Sequence, residues 1–120
     1  MAAPASAHTT GKSVVVDLSD QKLYQIENGK VTKTMHVSTG KASTPTPVGR
    51  FTVQREIRGK RVAPLGVLYD PVYFRGGYAI HGSPSVPNYP ASHGCVRIPM
   101  TDSRVFQDWA TVGMPVTIRR

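Results

Sequence analysis

Glycine and proline interrupt this chain every few residues, and this punctuation restricts its fold more than any other feature of the sequence. Eleven glycines and ten prolines are spread over 120 residues. Proline removes a backbone N–H and fixes φ, while glycine favours turns with positive φ. Long helices are therefore disfavoured, and the pattern is typical of short strands joined by tight turns. A chain of this length has room for one compact core, without a second cofactor-binding domain.

The apolar positions between these turns predict a mainly β fold, a small sandwich-like domain. The Asn28-Gly29 pair lies between two predicted strands and supplies the positive φ values that a two-residue hairpin turn needs. Two proline-rich segments, residues 41–49 and 83–91, are predicted to be stiff irregular loops. The predicted strands are Ser13–Leu18, Leu23–Ile26, Val31–Val37, Arg50–Ile57, Val67–Phe74, Tyr78–Ile80 and Val116–Ile118.

One short helix is predicted over Thr101–Ala110. Thr101 is a suitable N-cap, and the residues that follow place Val105, Phe106 and Trp109 on one face. Residues 1–11 are set apart from the fold as a disordered tail, a remnant of an export signal or a remnant of cloning. Residues 12–120 are then predicted to form a single domain.

The charge balance favours anionic partners. Lysine and arginine number 15 against 7 aspartates and glutamates, which gives a formal charge of +8. The densest cluster is Arg55, Arg58, Lys60 and Arg61, which is the composition of a solvated basic turn. No nucleic-acid-binding motif accompanies it, so nucleic acid is a poor candidate, whereas anionic cell-envelope polymers remain possible partners. The longest aliphatic run, Val14 to Val16, is far too short to cross a membrane.

Cys95 is the single cysteine and the strongest candidate for chemistry. It lies in the segment SHGCVRI, Ser92–Ile98, next to a glycine that permits close approach of a ligand. A thiol is largely protonated at neutral pH, so a nucleophilic cysteine needs an imidazole beside it, and His81 or His93 could supply one. Zinc bound by the same three side chains is an alternative. A pair of carboxylates for glycosidase chemistry is not evident.

The order of these motifs resembles the L,D-transpeptidase catalytic domain, the YkuD-type family of bacterial cell-wall cross-linking enzymes. The resemblance rests on His81-Gly82 followed by Ser92-His93-Gly94-Cys95-Val96-Arg97. It extends to VVVDLSDQKLYQIENGK at 14–30, VSTGK at 37–41 and TPTPVGRF at 44–51. The loop 82–91 is shorter than is usual in the family, which affects the rim of the expected pocket.

This resemblance implies a YkuD-type fold and assigns roles to individual residues. Cys95 would be the nucleophile, His81 the base that forms its thiolate, and Gly82 the carbonyl that orients the imidazole. The backbone N–H groups of Gly94 and Cys95, with that of His93, would bind the oxyanion. Substrate contacts are expected from Arg97, Ser92 and Tyr78, and neither a metal nor a cofactor is expected.

The implied function is acyl transfer on peptidoglycan stem peptides. The thiolate would cleave the bond between the third residue and D-Ala in the fourth position, and an amine of another stem would then form a cross-link between two third residues. Water as acceptor would give carboxypeptidase activity instead. The enzyme would be exported and act in the cell wall, the periplasm or outside the cell. The alternative is a non-catalytic module that binds the cell envelope through its positive surface.

Overall fold

The computed structural model describes residues 11–120, which form ten strands and one helix. The predicted tail lies outside these residues, except for Gly11, whose carbonyl accepts a hydrogen bond from the Asn28 N–H at 2.8 Å and so belongs to the fold. The elements are β1 (Lys12–Asp17), β2 (Lys22–Glu27), β3 (Lys30–His36), β4 (Gly49–Thr52), β5 (Arg55–Glu56), β6 (Lys60–Ala63), β7 (Gly66–Arg75), β8 (Tyr78–Ser83), β9 (Val96–Pro99), α1 (Met100–Trp109) and β10 (Pro115–Arg119).

The first sheet has the strand order β3-β2-β1-β10-β4. Strand β1 runs antiparallel to β2 and parallel to β10. The predicted hairpin between β2 and β3 is confirmed, with φ of 51° at Asn28 and 83° at Gly29. These are the left-handed conformations that a tight hairpin turn requires and that asparagine and glycine adopt most readily.

The second sheet has the order β5-β7-β8-β9, and β6 also pairs with β7. Strands β8 and β9 are parallel, with Ile80 opposite Val96 and His81 opposite Arg97. Strand β9 was not predicted, although its sequence Val96-Arg97-Ile98 alternates apolar and polar residues as a half-buried strand does. This unpredicted strand places the cysteine motif beside the strand that carries His81.

The main core lies between the two sheets and is closed on one side by the helix. Val14 and Val16 of β1 contribute to it, together with Ile80 of β8, Ile98 of β9 and Phe106 of α1, and none of these side chains exposes more than 1% of its surface. Apolar side chains from both sheets bury one another, which is the sandwich arrangement expected from the strand pattern. The predicted fold class, mainly β with one short helix, is confirmed.

The helix differs from the prediction in its start and in its buried face. It begins at Met100 after Pro99, and no side chain of the described residues caps it, so the prediction that Thr101 is the N-cap was wrong. The buried residues are Ser103, Phe106 and Gln107. Val105 is 60% exposed, because it lies two residues from both Ser103 and Gln107 and therefore about 200° around the helix from each.

The predicted strand Arg50–Ile57 is two strands in different sheets. Residues of β4 pair with β10 in the first sheet, and residues of β5 pair with β7 in the second. Between them Val53 is buried, and its N–H donates to the Met114 carbonyl at 2.9 Å. The alternation of buried and exposed side chains breaks at the crossing, where Gln54 and Arg55 are both exposed.

Candidate active site

His81 and Cys95 are brought to one region by the parallel pairing of β8 and β9. Cys95 directly precedes β9, and its Sγ lies 3.8 Å from the Gly77 carbonyl oxygen at the start of β8. The Ala79 backbone N–H also faces the thiol. Ala79 and Cys95 pack in one apolar cluster. Because alternate residues of a strand share a face, His81 follows Ala79 on the face of β8 where the thiol lies. No hydrogen bond among residues 11–120 joins the imidazole to the thiol, so proton transfer requires the two side chains to close on each other.

The imidazole of His81 is buried and has a defined orientation. Its Nδ1 lies 2.8 Å from the carbonyl oxygen of Gly82. A carbonyl can only accept, so Nδ1 carries the proton and Nε2 keeps its lone pair. Burial lowers the pKa of His81 to about 4, and the nearby positive charge of Arg97 acts in the same direction. The ring is therefore neutral at pH 7 and able to accept a proton.

Gly82 is also the residue of β8 on which the helix packs most closely among the described glycines. A Cβ at this position would lie 2.4 Å from Cβ of Ser103 and 3.3 Å from Sδ of Met100. Only glycine therefore allows α1 to pack so closely on β8. The predicted hydrogen bond between His81 and the Gly82 carbonyl is present.

Cys95 is more deeply buried than a pocket-facing nucleophile was expected to be. Its exposed fraction is 1%, and it belongs to a small apolar cluster with Leu68, Tyr73 and Ala79. Burial raises the pKa of the Cys95 thiol above its ordinary value. The resting pair is thus a neutral thiol and a neutral imidazole, which differs from the expectation that His81 maintains a thiolate before substrate binds.

Ser92 and Tyr78, both predicted to bind substrate, support the turn that carries Cys95. The Ser92 hydroxyl donates to the Cys95 carbonyl and accepts the Gly94 N–H at 3.0 Å. The ring of Tyr78 packs on Gly94, where a Cβ would lie 2.6 Å from Cε1 of the tyrosine. Gly94 has a φ of 125°, which an L-residue rarely adopts. The Gly94 N–H was expected to bind the oxyanion, but in this structure it already donates a hydrogen bond to Ser92.

An open cavity of about 410 Å³ lies beside the two histidines. His81, Arg97 and the exposed His93 line it, so the structure brings these three predicted site residues together. Lys60 also borders this cavity. It is the first residue of strand β6, so the prediction that it lies in a solvated basic turn was wrong. The remaining lining residues are Leu65, Gly66, Val67, Tyr69, Ser83, Pro84, Ser85 and Ser92. The charged side chains of the lining are all cations, which suits a ligand that bears carboxylates.

A second, smaller cavity of about 150 Å³ shares Leu65 with the first as a lining residue. Arg55, Arg61 and Gly77 are among its lining residues, and Leu65 borders both cavities. Leu65 also packs against the apolar cluster that contains Cys95. Both cavities are therefore lined by a side chain that packs on the cluster holding the thiol.

The sequence profile of the L,D-transpeptidase catalytic domain, YkuD, matches residues 11–118. The chain belongs to this family. The match spans both sheets, the helix and all eight residues predicted for the site. No curated protein sequence matches the chain.

Solved structures of L,D-transpeptidases share the fold. The L,D-transpeptidase from Xylanimonas cellulosilytica DSM 15894 is 37% identical with a TM-score of 0.79, over 91% of this chain and 60% of that one. The L,D-transpeptidase from Stackebrandtia nassauensis is 28% identical with a TM-score of 0.82, over 92% and 56% of the two chains. LdtMt1, solved in complex with imipenem, is 25% identical with a TM-score of 0.81, over 90% and 58%. The chain thus spans 60% or less of the length of these proteins.

The described part of this L,D-transpeptidase domain offers neither a cluster of metal ligands nor a membrane-spanning helix. Within residues 11–120, no three histidine, cysteine, aspartate or glutamate side chains form a group that could bind a metal ion. In the same part of the chain, no helix has the length and apolar character needed to span a bilayer.

The buried histidine predicts that the stability of the domain depends on pH. The pKa of His81 is about 4 in the folded state against 6.5 as the ordinary value. Between these values the unfolded chain binds a proton that the folded chain excludes, so stability is full above pH 6.5 and is lost as the pH falls. We expect the free energy of unfolding to fall by ~3 kcal/mol across this window.

Urea denaturation of the wild type and of His81→Gln, followed between pH 7 and pH 4, measures this effect. The glutamine variant should lose most of the pH dependence in this range, whereas His93→Gln should retain it because His93 is exposed. Equal pH dependence in the wild type and His81→Gln would contradict the attribution of this pH dependence to the lowered pKa of His81.

Proposed function

We propose that this domain is a cysteine-dependent L,D-transpeptidase that acts on peptidoglycan stem tetrapeptides. The observation that carries the proposal is the buried, neutral His81, held by the Gly82 carbonyl on the strand beside Cys95. A nucleophile, a base and a group that orients the base are the components that covalent acyl transfer needs. Membership of the L,D-transpeptidase family agrees with this chemistry.

In the first half of the reaction, the Cys95 sulfur attacks the carbonyl carbon of the third residue of the donor stem. The thiol proton moves to Nε2 of His81 as the carbon–sulfur bond forms, and the carbonyl oxygen becomes an oxyanion. The bond to the nitrogen of D-Ala then breaks. The imidazolium returns its proton to that nitrogen, D-Ala leaves as a free amine, and a thioester remains on Cys95.

In the second half, the amine of another stem attacks the thioester carbon. Its proton passes to His81, the carbon–sulfur bond breaks, and the thiol is regenerated while an amide forms between two third residues. Water as the acceptor would release a tripeptide instead, which is the carboxypeptidase reaction. The two cavities that share Leu65 as a lining residue support separate approaches for the donor and the acceptor.

Burial of the thiol suits a proton transfer that accompanies the attack. A standing thiolate would be costly in the apolar cluster around Cys95, because burial disfavours the charged form. A neutral imidazole with a lowered pKa can take the proton while the sulfur attacks. Substrate carboxylates are expected to contact Arg97, Lys60 and His93 in the larger cavity. Because its proposed substrate is peptidoglycan, the proposal implies an exported protein of the cell wall or periplasm.

Mass spectrometry of two reactions tests the proposal. A disaccharide-tetrapeptide should give a cross-linked dimer that has lost one D-Ala, or a tripeptide if water is the acceptor. Imipenem, which is bound by the related LdtMt1, should add once to the protein, at Cys95. Protein alkylated at its single cysteine is the matched control. Folded protein that gives neither product nor adduct would contradict the enzyme and favour the non-catalytic envelope-binding module.

A further inference from the structure

We infer that Thr44 and Thr46 are positioning residues that orient the two backbone N–H groups of the oxyanion site. This inference rests on the proposed acyl transfer, because it concerns the oxygen that becomes negative when Cys95 attacks. Both threonines belong to the proline-stiffened loop, defined as residues 41–49. The sequence predicted only that this loop is rigid. The hydrogen bonds of the two threonine hydroxyls indicate that the rigid loop fixes the turn that carries Cys95.

Thr46 holds the peptide group that precedes the nucleophile. Its side chain is 3% exposed. The Oγ1 hydroxyl donates to the Gly94 carbonyl oxygen at 2.7 Å and accepts the Gly40 N–H at 2.9 Å. The hydroxyl thus has both a donor and an acceptor partner, so its hydrogen can point only at Gly94.

Thr44 holds the neighbouring peptide group in the same way. Its Oγ1 donates to the Ser92 carbonyl oxygen at 2.9 Å, and the Lys41 N–H donates to the same oxygen at 3.0 Å. The Thr44 N–H in turn donates to the Lys41 carbonyl at 2.9 Å, which closes the loop on itself. One threonine therefore binds the peptide between residues 92 and 93, and the other binds the peptide between residues 94 and 95.

Because the peptide bond is planar, these contacts to two carbonyls also set the directions of two N–H groups. In a trans peptide the C=O and the following N–H lie in one plane and point in opposite directions, and none of the described peptide bonds is cis. Holding the Gly94 carbonyl therefore aims the Cys95 N–H away from the loop. Holding the Ser92 carbonyl does the same for the His93 N–H.

The third N–H of this turn is already engaged. The Gly94 N–H donates to Ser92 Oγ at 3.0 Å. Of the three donors that the sequence suggested, the N–H groups of Cys95 and His93 are left for the oxyanion, and these belong to the two peptides that the threonines hold. Donors that are fixed before the charge develops stabilise it without reorganisation.

The loop is built to keep the threonines in place. A Cβ at Gly40 would lie 2.1 Å from the Thr44 carbonyl oxygen, so the loop packs against a position that only glycine can occupy. Pro45 and Pro47 flank Thr46 and fix φ on both sides of it. The hydroxyls are thus presented to the turn from a rigid segment.

The test separates chemistry that forms an oxyanion from chemistry that does not. Acylation of Cys95 by imipenem and turnover of the tetrapeptide both pass through a tetrahedral oxyanion, whereas alkylation by iodoacetamide displaces iodide without one. Thr46→Val keeps the shape of the side chain and removes the hydroxyl. We expect it to lower kcat and the acylation rate by about tenfold or more. KM and the iodoacetamide rate should stay within about twofold.

Three variants complete the experiment. Thr46→Ser restores the hydroxyl and should recover most of the acylation rate. Thr44→Val should lose less than Thr46→Val, because the Lys41 N–H still holds the Ser92 carbonyl. The matched control is Thr32→Val, which removes a hydroxyl that donates to the Gln25 carbonyl at 3.3 Å in the other sheet, and it should acylate like the wild type. Circular dichroism verifies that each variant is folded.

The possible failures are distinguishable. Equal losses of acylation and alkylation in Thr46→Val would show a merely structural role and overturn the inference, as would wild-type acylation in that variant. Failure of serine to restore the rate would also overturn it. A wild-type protein that is alkylated but neither acylated by imipenem nor active on tetrapeptide would instead overturn the proposed function, and this inference with it.

Discussion

Cys95→Ala is expected to abolish turnover of a stem tetrapeptide, because no other side chain of the chain can form the thioester. The chain contains one cysteine. Removing a nucleophile that forms a covalent intermediate leaves only binding and electrostatic stabilisation, so the expected loss is at least several orders of magnitude. Product formation is measured by mass spectrometry under conditions in which the wild type converts all substrate.

The cost to stability should be measurable in the same variant. The thiol is 1% exposed and packs within an apolar cluster, so its loss removes buried contacts. We expect the free energy of unfolding to fall by ~1 kcal/mol, measured by urea denaturation. This differs from the small effect expected of a thiol that faces an open pocket. Turnover by the folded alanine variant at the wild-type rate would refute the mechanism.

His81→Gln is expected to lower turnover by roughly 10²–10⁴-fold, the contribution typical of a general base. Glutamine can still donate a hydrogen bond to the Gly82 carbonyl, but it cannot accept the thiol proton at neutral pH. Since burial raises the pKa of Cys95 and the resting thiol is neutral, the loss should appear in the rate of acyl transfer. The alkylation pKa of Cys95 should remain above its ordinary value in both wild type and variant.

His93→Gln is the matched comparison, since it makes the same change in an exposed histidine of the same cavity. We expect a smaller loss of turnover, because His93 can contact substrate but no backbone carbonyl of residues 11–120 holds its ring. Steady-state kinetics of both variants measure the difference, with folding verified by circular dichroism. A larger loss in His93→Gln than in His81→Gln would reverse the assignment and make His93 the base.

Local features of the fold were predicted well because they depend on neighbouring residues. Asn28-Gly29 specifies its hairpin turn through backbone conformation alone, and it adopts the expected positive φ values. The helix was placed to within one residue, but its cap was wrong. Helix boundaries depend on how the chain enters the helix. Here Pro99, at the end of β9, is the N-cap residue, a role that was expected of Thr101.

The motif residues of the site were also visible in the sequence, but their supporting contacts were not. His81, Gly82 and Cys95 were singled out by residue type and order. Lys60 carried no signal for the cavity, because it lies in a run of basic residues that resembles any solvated turn. The loop 41–49 was recognised as rigid, whereas its contact with Gly94 joins residues 48 apart in sequence.

The sequence by itself determined the hairpin turn, several of the short strands, the candidate nucleophile and the family of the chain, because conformational preferences and motif order are properties of neighbouring residues. Only the tertiary structure decided that β8 and β9 lie side by side, that 50–57 divides between two sheets, and that Ser92 and Tyr78 support the turn. It also decided the protonation states of Cys95 and His81, whose pKa values are shifted by burial. Pairing and burial depend on which apolar faces cover one another across the whole chain, and no local pattern contains that information.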